Sequence, residues 1–531
     1  MKLIAHWRLN ADARDSVGAL HAEAQTVAFQ DGAAVFNGVD SCVTVPDHPL
    51  LQFGTRPFKL TAQVKLSAPP AIASGEVVSK FDAARRNGFS IRIGSSKPGY
   101  SSISDARNVH ASIDDAKLGE WQDHGKPWLT NTLVSTLTVF RGDLYTGIAD
   151  AMPGENTPAI FRFRGGTEWE YCGKLDVDPR TRSVMSMIVH AGALYVGTGN
   201  WNWDKSLQGN CGPTHVFRYE GGTRWHDCGE FGTGKRVLSL ASFDGKLYAG
   251  DDRGMVHRMD DDGKWTWCGQ LGQHDRVNAM MIFQGRLYGA PHGAIFRYDG
   301  GTEWTCVGGL PDRRDGLFGE NQTHTLQVYN SHLWAGMWPQ GKVLRCEAPG
   351  RWTDTGQLGG QYPINEINDL AVYNGKLYAG VIPLAEVYRY ETDGQWANIG
   401  RLVQNEAMDE TSIRTWNRVP CLTVYRGRLF AGTSSCHGDA AEKPHPHAGR
   451  VYSIEAGRNV SFDDDLGSDW HEIAFERDAT ELRLSIDNKL VGRSVAFTAG
   501  DYNLSNTQPL CFGVGPQSHL AGAIREVRLF R

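Results

Sequence analysis

Basic side chains recur at one position of this 531-residue sequence, just before apolar runs such as VLSLASF and VPCLTVY. They are Arg182, Lys235, Arg236, Arg276 and Arg418. Convergent cationic groups bind carboxylate, sulfate or phosphate, and a guanidinium does so with two parallel hydrogen bonds. Because the net charge of the chain is -6, an anion-binding pocket would be a local feature. The alternative is that these side chains are solvated or paired with nearby carboxylates, such as Asp251, Asp252 and Asp275.

Groups suited to proton transfer lie in the same parts of the sequence: His274, His324, Tyr362 and Glu366. Imidazole, phenol and carboxyl groups serve as general acids and bases. Side chains suited to holding a sugar accompany them, because flat aromatic rings fit the apolar faces of sugar rings and amides bond hydroxyls. These expected substrate-binding residues are Trp201, Trp203, Asn321, Asn365 and Trp416.

The sequence leaves open whether these residues catalyse a reaction, because no triad or paired-carboxylate spacing is visible. A polysaccharide lyase would use Arg276 or Arg418 to neutralise a uronate carboxylate. It would take the C5 proton with one of three groups: His324, His274 or Tyr362. A glycoside hydrolase would instead need a pair of carboxyl groups, which would be Glu366 with either Glu320 or Asp315.

The motif WHDCG, which begins at Trp225, has the residue types of a reactive or metal-binding site but recurs as a repeat. Its cysteine position is occupied by Cys172, Cys228 and Cys268 in three copies. The other copies carry His124, Val307, Thr355 and Ile399. A position that tolerates valine and isoleucine is a packing position, so we expect these cysteines to act as small hydrophobic residues.

The repeat predicts the fold of the central part of the chain. Its tryptophans are Trp121, Trp169, Trp225, Trp265, Trp304, Trp352 and Trp396. Trp225 to Trp265 spans 40 residues and Trp265 to Trp304 spans 39. Each copy offers four short apolar runs with tight turns, which is typical of a propeller blade. We therefore predict a seven-bladed β-propeller over residues 119–458, in which residues 119–125 complete the last blade.

The segments 1–118 and 459–531 lack this repeat and alternate apolar and polar residues, which indicates a β-sandwich. Four stretches carry a resemblance: AVFNGVDSCVTVPDHP, FKLTAQVKL, SDWHEIAFERDATELRLSIDNKLVG and LAGAIREVRLF. They resemble LamG-like domains of the concanavalin A-like jelly-roll class. Since neither half is a complete sandwich, we predict an all-β protein in which the propeller is inserted into one concanavalin A/LamG-like β-sandwich.

The resemblance also implies a sugar-binding or adhesive module and a calcium site on the sandwich edge. Asp15, Asp40 and Asp82 are the candidate ligands for Ca²⁺. Arg525 replaces the aspartate of the closing motif G-x-I-D-E-V of that family, which counts against the site. The alternative role for the three aspartates is turn formation and capping. No other cofactor is predicted.

Bulk composition sets the remaining limits. With 40% hydrophobic and 21% charged residues, the chain has an ordinary globular composition, and its 62 glycines and 16 tryptophans favour all-β. No apolar segment approaches the roughly 18 residues of a transmembrane helix. The N-terminal apolar run is too short for a signal peptide, so we expect a cytoplasmic protein, or a secreted one whose signal peptide has been removed.

These observations favour a carbohydrate-active protein that binds an acidic oligo- or polysaccharide at the loop-rich mouth of the propeller, either with or without cleaving it. A non-catalytic lectin-like protein and a protein-interaction scaffold remain as alternatives. Neither nucleic acid nor membrane is expected as a partner, because no basic stripe or membrane-binding segment is visible. The oligomeric state is left open.

Overall fold

β-Strands make up almost all of the regular structure. The computed structural model describes residues 1–67, 74–95, 97, 102–129, 131, 133–149, 158–175, 181, 183–199, 214–308, 321–360, 365–403, 415–437 and 449–531. Within these ranges the protein is all-β apart from one 3-10 turn at Pro49–Leu51. The same ranges contain no helix of the length and apolarity that a bilayer crossing requires.

The strands fall into three stretches of the chain. The first contains β1 (Leu3–Trp7), β2 (Glu23–Gln25), β3 (Ala28–Gln30), β4 (Ala33–Asn37), β5 (Cys42–Val45), β6 (Phe58–Leu66), β7 (Ser74–Asp82), β8 (Asn87–Ser95) and β9 (Arg107–Leu118). The second contains β10 (Gln122–Asp123), β11 (Leu133–Phe140), β12 (Asp143–Ala149), β13 (Ala159–Gly165), β14 (Glu168–Lys174), β15 (Ser183–His190), β16 (Ala193–Gly199), β17 (His215–Gly221), β18 (Arg224–Glu230), β19 (Val237–Phe243), β20 (Lys246–Asp251), β21 (Met255–Met259), β22 (Trp265–Gln270), β23 (Ala279–Phe283), β24 (Arg286–Ala290), β25 (Ile295–Gly300), β26 (Glu303–Gly308), β27 (Gln322–Tyr329), β28 (His332–Trp338), β29 (Lys342–Ala348), β30 (Arg351–Gln357), β31 (Glu366–Tyr373), β32 (Lys376–Ile382), β33 (Glu386–Thr392), β34 (Gln395–Arg401), β35 (Thr415–Tyr425), β36 (Arg428–His437) and β37 (Val451–Ile454). The third contains β38 (Ala456–Phe462), β39 (His471–Arg477), β40 (Leu482–Ile486), β41 (Lys489–Arg493), β42 (Leu510–Phe512) and β43 (Ala521–Phe530).

Strands from the two ends of the chain share two antiparallel sheets. One sheet has the order β3-β4-β43-β6-β39-β40-β41, with β1 also paired to β43, and the other has the order β2-β5-β42-β7-β8-β9-β38. Aromatic side chains from the two sheets meet between them: the ring of Trp7 lies 5.1 Å from Phe512, and that of Phe58 lies 5.1 Å from Phe89. This buried layer, which supplies the hydrophobic driving force, therefore requires both ends of the chain.

The strands between β9 and β38 form consecutive antiparallel meanders, β11–β14, β15–β18, β19–β22, β23–β26, β27–β30, β31–β34 and β35–β37. As the sequence predicts, the short strand β10 pairs with β37 and completes the last meander. The first strands of successive meanders lie beside one another, and β35 lies beside β11. Every residue of β31 is buried, whereas none of β34 is. The first strands are therefore innermost and the fourth strands face outward.

The repeat tryptophans connect each meander to the one before it. Each indole Nε1 donates a hydrogen bond of 2.8–3.2 Å to a backbone carbonyl: Trp121 to Ile399, Trp169 to His124, Trp225 to Cys172, Trp265 to Cys228, Trp304 to Cys268, Trp352 to Val307, and Trp396 to Thr355. The acceptors are the residues at the cysteine position of the repeat. Because Trp121 bonds to the meander β31–β34, the series of bonds closes on itself around the central part of the chain.

We call the two sheets that the chain ends form the two-sheet unit. The turns between the first and second strands of the meanders lie against it. The N–H groups of Asn330 and Ser331 donate to the carbonyls of Pro516 and Gln517, at 3.1 and 3.2 Å. The Asn374 amide donates to Asp114 Oδ2 at 2.9 Å. The first strands therefore begin at the opposite end of the ring, away from the two sheets. We call that end the mouth.

Candidate functional site

Three candidate residues lie near the starts of neighbouring innermost strands, at the mouth. Glu366 is the first residue of β31, His324 is the third of β27, and Arg418 is the fourth of β35. His324 Nδ1 lies 3.1 Å from Glu366 Oε1, with the two side chains 11% and 4% exposed. The adjacency of the innermost strands thus brings together residues that are distant in the sequence.

The contacts of His324 define how its protons are arranged. His324 Nε2 lies 2.8 Å from Gln322 Oε1, which as an amide oxygen only accepts, so Nε2 carries the hydrogen in the neutral ring. Nδ1 then presents its lone pair to Glu366. Burial is the main reason that the pKa of His324 lies well below its ordinary value, and the neighbouring cations lower it further. Nδ1 lies close to the carboxyl group but has no hydrogen-bond partner among the described residues.

Glu366 is an acid in a nearly dry, positively charged environment. Burial raises its pKa, while the charges of Arg418 and Arg276 act in the opposite direction. The Asn368 amide donates a hydrogen bond to Glu366 Oε1. The net result is a raised pKa, so a larger share of Glu366 is protonated than of an exposed glutamate at the same pH.

Arginines at or near the starts of three innermost strands lie near this pair. Burial lowers the pKa of Arg276, and the charge of Arg236 lowers it further, which places these two cations near each other. Arg236 Nε donates to Asp252 at 3.1 Å, and Arg276 Nε lies 3.8 Å from Asp275. Arg236 and Arg276 thus lie next to aspartates, while Arg276 and Arg418 both lower the pKa of Glu366. Since the Arg276 side chain is 35% exposed, it is accessible to an anion in the mouth.

The other sequence-predicted residues occupy different places. The backbone N–H of Lys235 donates to Asp252 Oδ1 at 2.7 Å, which fixes the chain just before Arg236. Asn321 and Asn365 are buried, and the Asn365 amide donates to the Gly360 carbonyl at 3.2 Å. His274 packs edge-on against Phe296 of β25, with ring centres 5.9 Å apart. These contacts hold loops at the mouth, and the substrate-binding and catalytic roles of these residues stay predictions.

Some predicted residues lie outside the described part of the chain: Arg182, Trp201, Trp203, Asp315, Glu320 and Tyr362. Of Trp416 only the backbone is described, and it pairs with Cys436.

Sequence reasoning did not predict the hydrogen bonds that Gln322 and Asn368 make with His324 and Glu366. A signal for both was present, because alternate residues of a strand share a face. Gln322 stands two residues from His324, and Asn368 stands two residues from Glu366. A second imidazole–carboxylate contact also went unpredicted: His292 Nδ1 lies 2.9 Å from Asp275 Oδ1.

The three candidate calcium ligands each accept hydrogen bonds from other groups of the protein. Asp15 accepts from the N–H groups of His6, Val17 and Leu20 at 2.9–3.1 Å. Asp40 accepts from the Asn37 amide at 2.7 Å, and Asp82 from the Arg85 N–H at 3.0 Å. Among the described residues no group of three or more His, Cys, Asp or Glu side chains is arranged to hold a metal ion. The calcium site remains a prediction of the resemblance alone.

Comparison with known proteins finds no family model and no curated protein that matches the chain. Similar solved structures include the extracellular domain of the putative one component system BT4673 from B. thetaiotaomicron, 14% identical with a TM-score of 0.44 over 72% of this chain and 46% of that one. This chain therefore spans less than half the length of that protein. Virginiamycin B lyase from Staphylococcus aureus, crystallised with quinupristin, is 10% identical with a TM-score of 0.43 over 63% of this chain and 99% of that one. The WD40 β-propeller domain of Doa1 is 10% identical with a TM-score of 0.40 over 63% and 97%.

Proposed function

We propose that the mouth binds an acidic glycan, with a carboxylate of the sugar held by Arg276 and Arg418. The observation that carries this proposal is that both arginines act on the same buried carboxyl group, Glu366, although they come from different meanders. Guanidinium groups bind carboxylates with paired, charge-assisted hydrogen bonds. A ligand carboxylate would supply the negative charge that a protonated Glu366 does not.

We also propose the number of blades and the way in which the two parts of the chain are connected. Residues 119–458 would form a seven-bladed β-propeller inserted into a LamG-like jelly roll made of residues 1–118 and 459–531. The closed series of tryptophan bonds supports the propeller, and the two sheets shared by both chain ends support the insertion. In this arrangement the jelly roll covers one end of the propeller and leaves the mouth for ligand.

A binding experiment tests the function. Isothermal titration with oligogalacturonate, oligomannuronate and hyaluronan oligosaccharides is expected to show binding of at least one of them. Arg276→Gln removes a charge at the mouth and should weaken that binding tenfold or more. Arg286→Gln is the matched control, because Arg286 is an exposed arginine at the opposite end of its meander. Equal loss in both variants, or no binding by the unaltered protein, would contradict the proposal.

A lyase reaction is the second candidate, favoured by the His324–Glu366 contact. Neutral His324 would take the proton from C5 of a uronate whose carboxylate Arg276 and Arg418 hold. The electron pair of that C–H bond would form the C4–C5 double bond as the C4–O bond breaks. Protonated Glu366 would supply a proton to the departing oxygen, so that protons and electrons balance.

Ultraviolet absorbance of an unsaturated product separates the enzyme from the binder. Turnover that disappears in His324→Gln, while glycan binding persists, would support the lyase. Binding without product in the unaltered protein would favour a lectin-like protein. If no glycan binds, the result would favour a protein-interaction scaffold. In that hypothesis the mouth binds no glycan.

A further inference from the structure

Trp267 departs from the pattern of its repeat position. This position is the second residue after the repeat tryptophan. In four copies of the repeat its side-chain oxygen accepts a hydrogen bond from the backbone N–H of a glycine, which is the fourth residue after the tryptophan. These bonds, at 2.8–3.0 Å, are made by Asp123, Asp227, Asp354 and Asn398. An indole cannot accept this bond. Trp267 therefore gives up a local structural role, and its ring is 51% exposed on the outward strand β22.

The ring of Trp267 borders a groove between two neighbouring meanders, which we call the lateral groove. It has a volume of about 420 Å³ and is lined by Glu230 and Phe231 of the preceding meander and by His257, Trp265 and Trp267. Phe231 packs against Trp265, with ring centres 4.8 Å apart, and forms an apolar floor. A volume of this size falls within the range of small-molecule sites.

His257 supplies a polar group that is not satisfied within the described part of the protein. Its side chain lines the groove although the residue is only 7% exposed, and its Nδ1 has no hydrogen-bond partner among the described residues. Burial lowers its pKa, so the ring is neutral and offers both a donor and an acceptor. A buried polar atom without a hydrogen-bond partner destabilises the folded protein, and a ligand that bonded it would offset this cost.

We propose that the lateral groove binds a neutral sugar ring of a glycan chain, stacked on the indole of Trp267. The C–H face of a pyranose would cover the exposed indole, and its hydroxyl groups would bond His257 and the carboxylate of Glu230. Lys264, which also lines the groove, forms an exposed ion pair with Asp262 at 2.7 Å. A carboxylate rim favours a neutral sugar over a uronate, in contrast to the mouth.

A proline-rich peptide is the other ligand that stacks on tryptophan, and the groove suits it less. Such a peptide presents carbonyl oxygens and no N–H groups, so it needs donors on the protein. The indole N–H of Trp265 already donates to the Cys228 carbonyl at 3.0 Å, so this donor is not available to a peptide. The side-chain N–H donors that remain along the groove belong to His257, Lys264 and Trp267. Glu230 offers only acceptors when ionised, which match sugar hydroxyls. This site stands on the outer strands and does not depend on what the mouth binds.

The test is isothermal titration with cellohexaose, xylohexaose, mannohexaose and maltohexaose, together with trigalacturonate and hexaproline. The unaltered protein is expected to bind at least one neutral hexasaccharide. Trp267→Asp restores the local hydrogen bond of the repeat, so it should keep or raise the melting temperature while weakening binding at least tenfold. Tyr171→Ala is the matched control, because Tyr171 is the exposed aromatic residue at the same repeat position of another meander. It should leave the affinity unchanged, as should Arg276→Gln.

Three results would overturn the proposal. One is that no neutral hexasaccharide binds at millimolar concentration. Another is that a neutral hexasaccharide binds equally well to the unaltered protein and to a folded Trp267→Asp variant. The third is that hexaproline, and no sugar, binds in a manner that Trp267→Asp abolishes. Loss of trigalacturonate binding in Arg276→Gln tests the mouth alone, and loss of hexasaccharide binding in Trp267→Asp tests the lateral groove alone. The two proposals can therefore fail independently.

Discussion

Lys97, which precedes β9 in the two-sheet unit, forms a buried ion pair with Asp369 on the innermost strand β31. Their side chains are 5% and 0% exposed. Lys97 Nζ also donates to Thr325 Oγ1 of β27 at 3.1 Å, and Asp369 Oδ2 accepts the N–H of Leu422 of β35 at 2.8 Å. One lysine from outside the ring thus joins three innermost strands. Nearby, the Ile103 N–H donates to the Leu240 carbonyl at 3.0 Å, which extends this contact to β19.

Lys97→Met is expected to destabilise the protein strongly, because it leaves the Asp369 charge buried without its partner. Loss of one member of a buried ion pair costs about 3–5 kcal/mol. Chemical denaturation of the single variants Lys97→Met and Asp369→Asn and of the double variant measures the coupling. The double variant should lose less stability than the sum of the two. A Lys97→Met variant as stable as the unaltered protein would show that the pair contributes nothing.

Trp304→Phe tests the tryptophan bonds that connect successive meanders. Phenylalanine keeps an aromatic ring but cannot donate to the Cys268 carbonyl, which Trp304 reaches at 2.8 Å. The loss of the hydrogen bond and of ring volume should cost about 1–3 kcal/mol in the free energy of unfolding. Trp267→Phe, at an exposed tryptophan, should change it by no more than about 0.5 kcal/mol. The same small change in both variants would argue against a structural role for the repeat bond.

Glu76 links the stability of the two-sheet unit to pH. It accepts the N–H groups of Gln517 and Ser518 at 2.8 and 2.9 Å, next to the turn that contacts Asn330 and Ser331. Burial raises the pKa of Glu76 from 4.5 to about 7, so the folded state binds more protons than the unfolded state between these values. Its contribution to stability is therefore complete below about pH 4 and is lost as the pH rises through about 7.

Thermal unfolding at a series of pH values checks this contribution. Across about pH 5 to 8 the melting temperature of the unaltered protein should fall, and Glu76→Gln should make that slope shallower. Asp114, whose pKa burial also raises to about 7, should keep part of the slope. Glu23→Gln, at an exposed position, is the control and should leave the slope unchanged. A steeper slope in Glu76→Gln would mean that the sign of the linkage is wrong.

Glu366 should make anion binding at the mouth depend on pH. Its pKa is raised, and its ionised form would repel a ligand carboxylate. The affinity for a uronate oligosaccharide should therefore increase as the pH falls through the pKa of Glu366, at pH values where the ligand stays charged. Glu366→Gln should bind as tightly at high pH as at low pH. A pH dependence that persists unchanged in Glu366→Gln would assign the effect to another group.

The sequence was most informative where the structure repeats. The position shared by Cys172, Val307 and Thr355 was expected to serve packing, and its backbone carbonyl accepts the bond of a repeat tryptophan. The pairing of β10 with β37 also followed from the order of the repeat runs. The different residues found at one position of a repeat indicate its role, because each of them must fit the same place in the structure.

The site was predicted less completely, because its contacts join residues far apart in the chain. His324 and Glu366 were each expected near the mouth, but nothing in the local sequence places Nδ1 of one 3.1 Å from the carboxylate of the other. The contact of Lys97 with Asp369 had no sequence signal, since a single lysine in a polar stretch reads as a solvated residue. Such contacts depend on how the two-sheet unit lies against the ring, which is a property of the whole fold.

The most direct test of an acidic glycan at the mouth is a crystal structure of the protein with a bound uronate trisaccharide. The predicted result is a sugar carboxylate within hydrogen-bond distance of the Arg276 or Arg418 guanidinium group, with the sugar ring facing His324 and Glu366. A trisaccharide bound elsewhere on the protein, with Arg236 and Arg276 still next to Asp252 and Asp275, would contradict the proposed function.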